Sequence, residues 1–119
     1  MRRKVLLVDD DEDVRRTYGD LIESAGYDVA LAATGERAIE MVDARPPDVI
    51  VLDIGLPGRD GIQIARELSG RRIPILMMTG LSEFSVGRGV GDIEAIRTFL
   101  YKPCRAETLL KGIGDALGP

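Results

Sequence analysis

Four short apolar runs, each stopping at a polar residue, limit what this chain can fold into more than any other feature. They are Lys4–Val8 before Asp9, Asp48–Asp53 with Val49, Ile50, Val51 and Leu52 ahead of Asp53, Ile73–Met78 before Thr79, and Thr98–Tyr101 before Lys102. None of the four is long enough for a helix of its own. The continuous apolar stretches among them read as strands covered on both faces, which is the signature of a parallel sheet. A shorter run, Tyr27–Leu31, reads as a further strand.

Helical spacing fills the gaps between these strands. Residues 12–25 place Val14, Tyr18, Leu21 and Ile22 on one face, and Gly26 follows as a stop. Thr34 is a candidate N-cap for a helix to about Ala44, with Ala38, Ile39 and Val42 inward, and Pro46-Pro47 ends it. Asp60 can cap a helix over 61–69 through Ile62, Ile64, Ala65 and Leu68, and Arg105–Leu117 is amphipathic through Leu109, Leu110, Ile113 and Leu117. A helix is also expected between the fourth and fifth strands. The segment Ser82–Gly91 carries it poorly, because Gly87, Gly89 and Gly91 each cost a helix about 1 kcal/mol relative to Ala. It is expected to be irregular or mobile. The pattern predicts an α/β fold: a doubly wound five-stranded parallel sheet with five helices. The 119 residues show no repeat or internal boundary and are read as one domain, 1–119.

Composition removes several function classes. There is no histidine, so Ser-His and Cys-His nucleophile pairs and histidine metal sites are excluded. The single cysteine, Cys104, cannot form an internal disulfide. The net charge of -4, with both signs interspersed, argues against direct nucleic-acid binding. No apolar run approaches the roughly 20 residues of a membrane span, and the apolar stretch after the basic start ends at Asp9, too short for a signal peptide. The expected location is the cytoplasm.

Doubly wound sheets carry their sites at the carboxyl ends of the strands. There this chain places Asp9-Asp10-Asp11 after strand one, Asp53 after strand three, Thr79 after strand four and Lys102 after strand five. Each has an ordinary reading alone: acids favour a helix start, Asp53 suits an Asx turn, Thr79 a cap, and Lys102 a solvated surface. Together, carboxylates, a hydroxyl and an ammonium converge on one sheet edge. Clustered carboxylates need protons or a cation. Oxygen ligands without His or Cys favour a hard ion: Mg²⁺, or else Ca²⁺ or Mn²⁺. The set suits phosphoryl transfer, which needs positioning and charge neutralisation.

The ordered segments VLLVDDDEDVR (5–15), VIVLDIGLPGRDG (49–61), ILMMTG (75–80) and FLYKP (99–103) resemble the receiver domain of two-component response regulators. The resemblance spans essentially the whole chain. It implies a flavodoxin-like sheet of strand order 2-1-3-4-5. It makes Asp53 the phosphoacceptor, with Mg²⁺ (or Mn²⁺) held by Asp9, Asp10, Asp53 and the Gly55 backbone carbonyl. Thr79 and Lys102 would bind the phosphoryl group, and Thr79 and Phe99 would form the switch that alters the surface of the fourth helix, fifth strand and fifth helix. The donor would be a phosphohistidine on a histidine kinase or histidine phosphotransfer protein. The receiver of the signal would be a downstream protein or output domain, and a homodimer is compatible. The domain would be a signalling module, not an enzyme, apart from its own phosphorylation and dephosphorylation.

Some positions depart from the family pattern. Cys104 stands where phenylalanine is usual, which predicts looser packing and a small buried apolar side chain in preference to a reactive thiol. Gly55 and Gly80 leave two positions beside Asp53 without side chains, which predicts easy water access and a short-lived phosphoaspartate. The competing readings are weaker. A flavodoxin-type phosphate loop conflicts with Asp9-Asp10-Asp11, the P-loop G-x-x-x-x-G-K-[ST] is absent, and the surroundings of an aspartyl phosphatase are missing. A pseudo-receiver acting only by protein contact conflicts with the complete acidic, Thr and Lys set. A stand-alone regulator, a piece of a longer regulator and a piece of a hybrid histidine kinase all fit.

Overall fold

The computed structural model describes residues 2–56, 61–80 and 93–118. The strands are β1 (Lys4–Val8), β2 (Asp28–Ala32), β3 (Val49–Asp53), β4 (Ile75–Thr79) and β5 (Ile96–Tyr101), and they form one parallel sheet in the order β2-β1-β3-β4-β5. The three central strands explain the continuous apolar runs. Every residue of β3 and β4 is buried, as is β1 from Val5 onward, whereas edge strands β2 and β5 are mixed.

The helices are α1 (Glu12–Ser24), α2 (Gly35–Ala44), α3 (Gly61–Leu68) and α4 (Ala106–Leu117), with a short 3₁₀ helix at Ser69–Arg71. Four α-helices among the described residues correct the expected five. The expectation rested on strand–helix alternation, not on periodicity in 82–91, and that segment lies outside the described residues. The Asp60 cap lies outside them too. Two other caps are in place. Asp11 accepts from the amides of Asp13 and Val14, at 2.8 and 3.2 Å, and Thr34 accepts from Arg37 at 3.1 Å. After α1, Gly26 adopts φ 102°, a turn that glycine makes without strain.

Helices cover both faces of the sheet. Leu6, Val8, Ile50, Leu52, Ile75 and Met77 pack with Ala38 and Val42 of α2 and Ile64, Ala65 and Leu68 of α3. Val5, Leu7, Val49, Val51, Leu76, Met78 and Leu100 pack with Ile22 of α1 and Leu109 and Ile113 of α4. A register shift between β4 and β5 sits at Ile75/Leu76, so that Leu76 pairs with Thr98 and Thr79 with Tyr101. The bulge explains why β5 begins two residues before the apolar run that announced it. The sheet order reverses at β1, which has β2 on one side and β3 on the other. The crevice beyond the carboxyl ends of β1 and β3 is therefore the expected place for a site. No helix among the described residues is long and apolar enough to cross a membrane.

Candidate functional site

Asp9 prolongs β1 by one more ladder bond, its amide donating to Ala32 O at 3.1 Å, and this buries the residue to 1% exposure. Its Oδ1 accepts the Asp11 amide at 2.9 Å, and its Oδ2 accepts from Lys102 Nζ at 2.9 Å. Asp10, the next residue, is exposed. Asp53 closes β3 and is 5% exposed. Its Oδ1 accepts the Gly55 amide at 3.1 Å and lies 3.3 Å from Lys102 Nζ, while no hydrogen bond from the described residues ends on Oδ2. Thr79, also buried, closes β4 and donates from Oγ1 to Gly80 O at 3.1 Å. Its carbonyl accepts the Lys102 amide at 2.8 Å, which ties the ends of β4 and β5 together.

The predicted carboxylates meet. Asp9, Asp10 and Asp53 each offer one oxygen, all within 4.8 Å of one another. Three hard donors at this spacing, with Asp10 open to solvent, fit a divalent cation that keeps several waters. Lys102 supplies the positive charge between the two buried acids. Burial raises the pKa of Asp53; the Gly55 amide opposes that rise, the charge of Asp9 adds to it, and Lys102 opposes it, leaving the group above the ordinary aspartate value. For Lys102, burial acts to lower the pKa, but the hydrogen bond to Asp9 and the charges of Asp53 and Asp9 outweigh it, so the ammonium is held more firmly than usual.

Gly55 is exposed in the turn after Asp53, and Phe99 is half-buried beside the α2/α3 face of the core. Cys104 is half-buried against the α1/α4 face, and burial pushes its thiol pKa up, away from thiolate reactivity.

Matches to known proteins agree with this geometry. The family model for the response regulator receiver domain matches residues 5–114. The chain belongs to the response regulator receiver family. Among curated relatives, the alkaline phosphatase synthesis transcriptional regulatory protein PhoP of Bacillus subtilis is 40% identical over 85 residues, 70% of this chain and 35% of that protein. The transcriptional regulatory protein PdtaR of Mycobacterium tuberculosis is 31% identical over 113 residues, 93% of this chain and 55% of that one. The receiver thus spans between a third and just over half the length of these relatives. Among solved structures, the receiver domain of NtrX from Brucella abortus superimposes with a TM-score of 0.83 at 25% identity, over 95% of this chain and 97% of that one. Receiver domains are signalling domains, not conventional enzymes, and generally bind Mg²⁺ at an acidic aspartate cluster like this one.

Three residues at this site carried no role in the sequence reading. Gly61 opens α3 against the backbone of Asp53: a Cβ there would lie 2.3 Å from Asp53 O and 2.6 Å from Ile54 Cα. Arg15 donates from Nη1 to the carbonyl of Asp9 at 2.8 Å. Tyr18, counted only as part of an apolar face, bonds the backbone of Cys104 through its hydroxyl. Only Arg15 leaves a faint sequence signal, a cation near a helix start, where the dipole disfavours it.

Proposed function

We infer that this receiver, read as one domain over 1–119, is the phosphoacceptor of a two-component relay, with Asp53 as the modified residue. The observation that carries the reading is Lys102 Nζ lying between Asp9 Oδ2 and Asp53 Oδ1, at 2.9 and 3.3 Å, beside an exposed Asp10. One Asp53 oxygen is engaged by Gly55 and Lys102, which leaves the other available to attack phosphorus. The donor is a phosphohistidine on a histidine kinase or phosphotransfer protein, which fits the lack of histidine in these 119 residues. Attack by the carboxylate forms the acyl phosphate while the P–N bond breaks, and the imidazole leaves with a proton from solvent.

Asp9, Asp10, Asp53 and the Gly55 carbonyl would hold Mg²⁺ or Mn²⁺, which when bound neutralises charge on the transferring group. Lys102 pairs with a phosphoryl oxygen and Thr79 donates its hydroxyl to another. The move of Thr79 frees space for Phe99 to turn inward, and the surface of β5 and α4 carries the change to a downstream protein or output domain in the cytoplasm. The domain then loses the group by hydrolysis of its own acyl phosphate. Beryllofluoride with Mg²⁺ tests the reading by NMR. Saturable shifts at Asp53, Thr79 and Phe99 are expected. Unchanged spectra would return the chain to a role in protein contact alone.

A further inference from the structure

The hydroxyl of Tyr18 joins two parts of the molecule that are 86 residues apart. It accepts from the Cys104 amide at 3.0 Å and donates to the Cys104 carbonyl at 3.3 Å. Cys104 lies two residues beyond Lys102, across the cis Lys102–Pro103 peptide. Pro103 has no N–H, so the Cys104 amide is the first backbone donor after that of Lys102. It precedes α4, whose first residue is Ala106. A phenol can satisfy the amide and the carbonyl of one residue at once. The crossing from β5 to α4 is thus pinned on both sides of Lys102: the Lys102 amide to Thr79 O before it, and Cys104 to Tyr18 after it. The Tyr18 ring is itself fixed by packing against the core between α1 and α4.

We propose that Tyr18 is a positioning residue for Lys102: its hydroxyl holds the β5–α4 crossing so that the ammonium sits between Asp9 and Asp53. The proposal rests on the phosphoacceptor reading for its catalytic consequence, and on geometry alone for the placement of Lys102. Without the hydroxyl, the Cys104 backbone turns to water and Pro103–Cys104 can swing. The lysine stem then starts from a different direction. Displacements near 1 Å at a reacting centre cost up to about 10²-fold in rate.

The test uses the whole chain in four forms: wild type, Tyr18→Phe, Lys102→Ala and the double variant. Tyr18→Phe keeps the ring and removes only the hydroxyl. With acetyl phosphate at saturating Mg²⁺, Tyr18→Phe should phosphorylate about 3- to 10-fold more slowly than wild type, while binding Mg²⁺ no more weakly than wild type. Adding it to Lys102→Ala should change nothing further. A Cys104→Ala control, which retains both backbone groups, should react like wild type. A rate for Tyr18→Phe equal to wild type, or an equal slowing in the Lys102→Ala background, would overturn the proposal.

A second readout does not need phosphorylation. The chain has only three lysines, Lys4, Lys102 and Lys111, so the Lys102 Cε and Nζ resonances can be assigned. In Tyr18→Phe they should move toward those of the exposed Lys111; resonances that stay in place would refute the positioning role. If wild type itself fails to react, the phosphoacceptor reading falls, and this readout still decides where Tyr18 holds Lys102.

Discussion

Replacing Lys102 with glutamine should weaken the fold and at the same time tighten its grip on Mg²⁺. The ammonium lies 2.9 Å from Asp9 Oδ2 and 3.3 Å from Asp53 Oδ1, and those carboxylates are 1% and 7% exposed. At an effective dielectric constant of about 20 the two attractions amount to roughly 6 and 5 kcal/mol before any desolvation is subtracted. Removing one partner of a buried pair typically costs about 3–5 kcal/mol, because the remaining charge is left uncompensated. Lys102 is 28% exposed, so water screens part of this, and a net loss of about 2–3 kcal/mol is expected. For a domain of this size that is a fall in Tm of roughly 6–15 °C. The same vacancy removes a cation that competes for the ligand oxygens, so Mg²⁺ should bind about tenfold tighter or better, and saturating Mg²⁺ should recover much of the lost stability. The assays are urea unfolding without divalent ions and calorimetric Mg²⁺ titration. Lys111→Gln is the control: its pair with Asp115 is 78% and 71% exposed, and its loss should cost under about 0.5 kcal/mol. A Lys102→Gln protein as stable as wild type, or one that binds Mg²⁺ more weakly, would refute the electrostatic account of the site.

Other consequences follow from the same geometry. Because the folded pKa of Asp53 is raised, the folded protein holds that proton more tightly than the unfolded chain. Its contribution to stability is present below the unfolded aspartate value and is lost as pH rises through the folded one. Without metal, Asp53→Asn should therefore be more stable than wild type near neutrality and show no such advantage at pH 3, as read by denaturation across pH. Gly61→Ala should cost about 1–3 kcal/mol and weaken Mg²⁺ binding, since its Cβ would meet Asp53 O at 2.3 Å and push the Asp53 backbone; unfolding and metal titration check both. Among the described residues nothing lies within 4 Å of where a Gly80 Cβ would stand, so Gly80→Met is expected to fit and to lengthen the phosphoaspartate lifetime by shielding it from water. An unchanged decay rate would dismiss that idea.

The sequence made some of this visible for a physical reason. β1, β3 and β4 are covered on both faces, so nearly every residue in them had to be apolar, and the first polar residue marked the strand end where chemistry sits. Asp9, Asp53 and Thr79 stood out because they are polar yet continue buried strands. β2 and β5 were blurred by their edge positions, and β5 further by its bulge, which put Ile96 and Arg97 outside the apolar run. Arg15, Tyr18 and Gly61 stayed hidden because each acts on backbone atoms: the Asp9 carbonyl, the Cys104 amide and carbonyl, and the Asp53 carbonyl. A backbone partner imposes no residue type at its own position, so no pairing pattern appears in the sequence. Cys104 shows the point well. By residue type it is a small apolar filler, but what the fold uses there is its amide and carbonyl.

The measurement closest to the central claim is peptide-resolved mass spectrometry after incubation with acetyl phosphate. One phosphoryl group on Asp53 is expected, dependent on Mg²⁺, abolished in Asp53→Asn and lost on treatment with hydroxylamine, which cleaves acyl phosphates. An unmodified wild-type protein, or equal labelling of Asp53→Asn, would contradict the account.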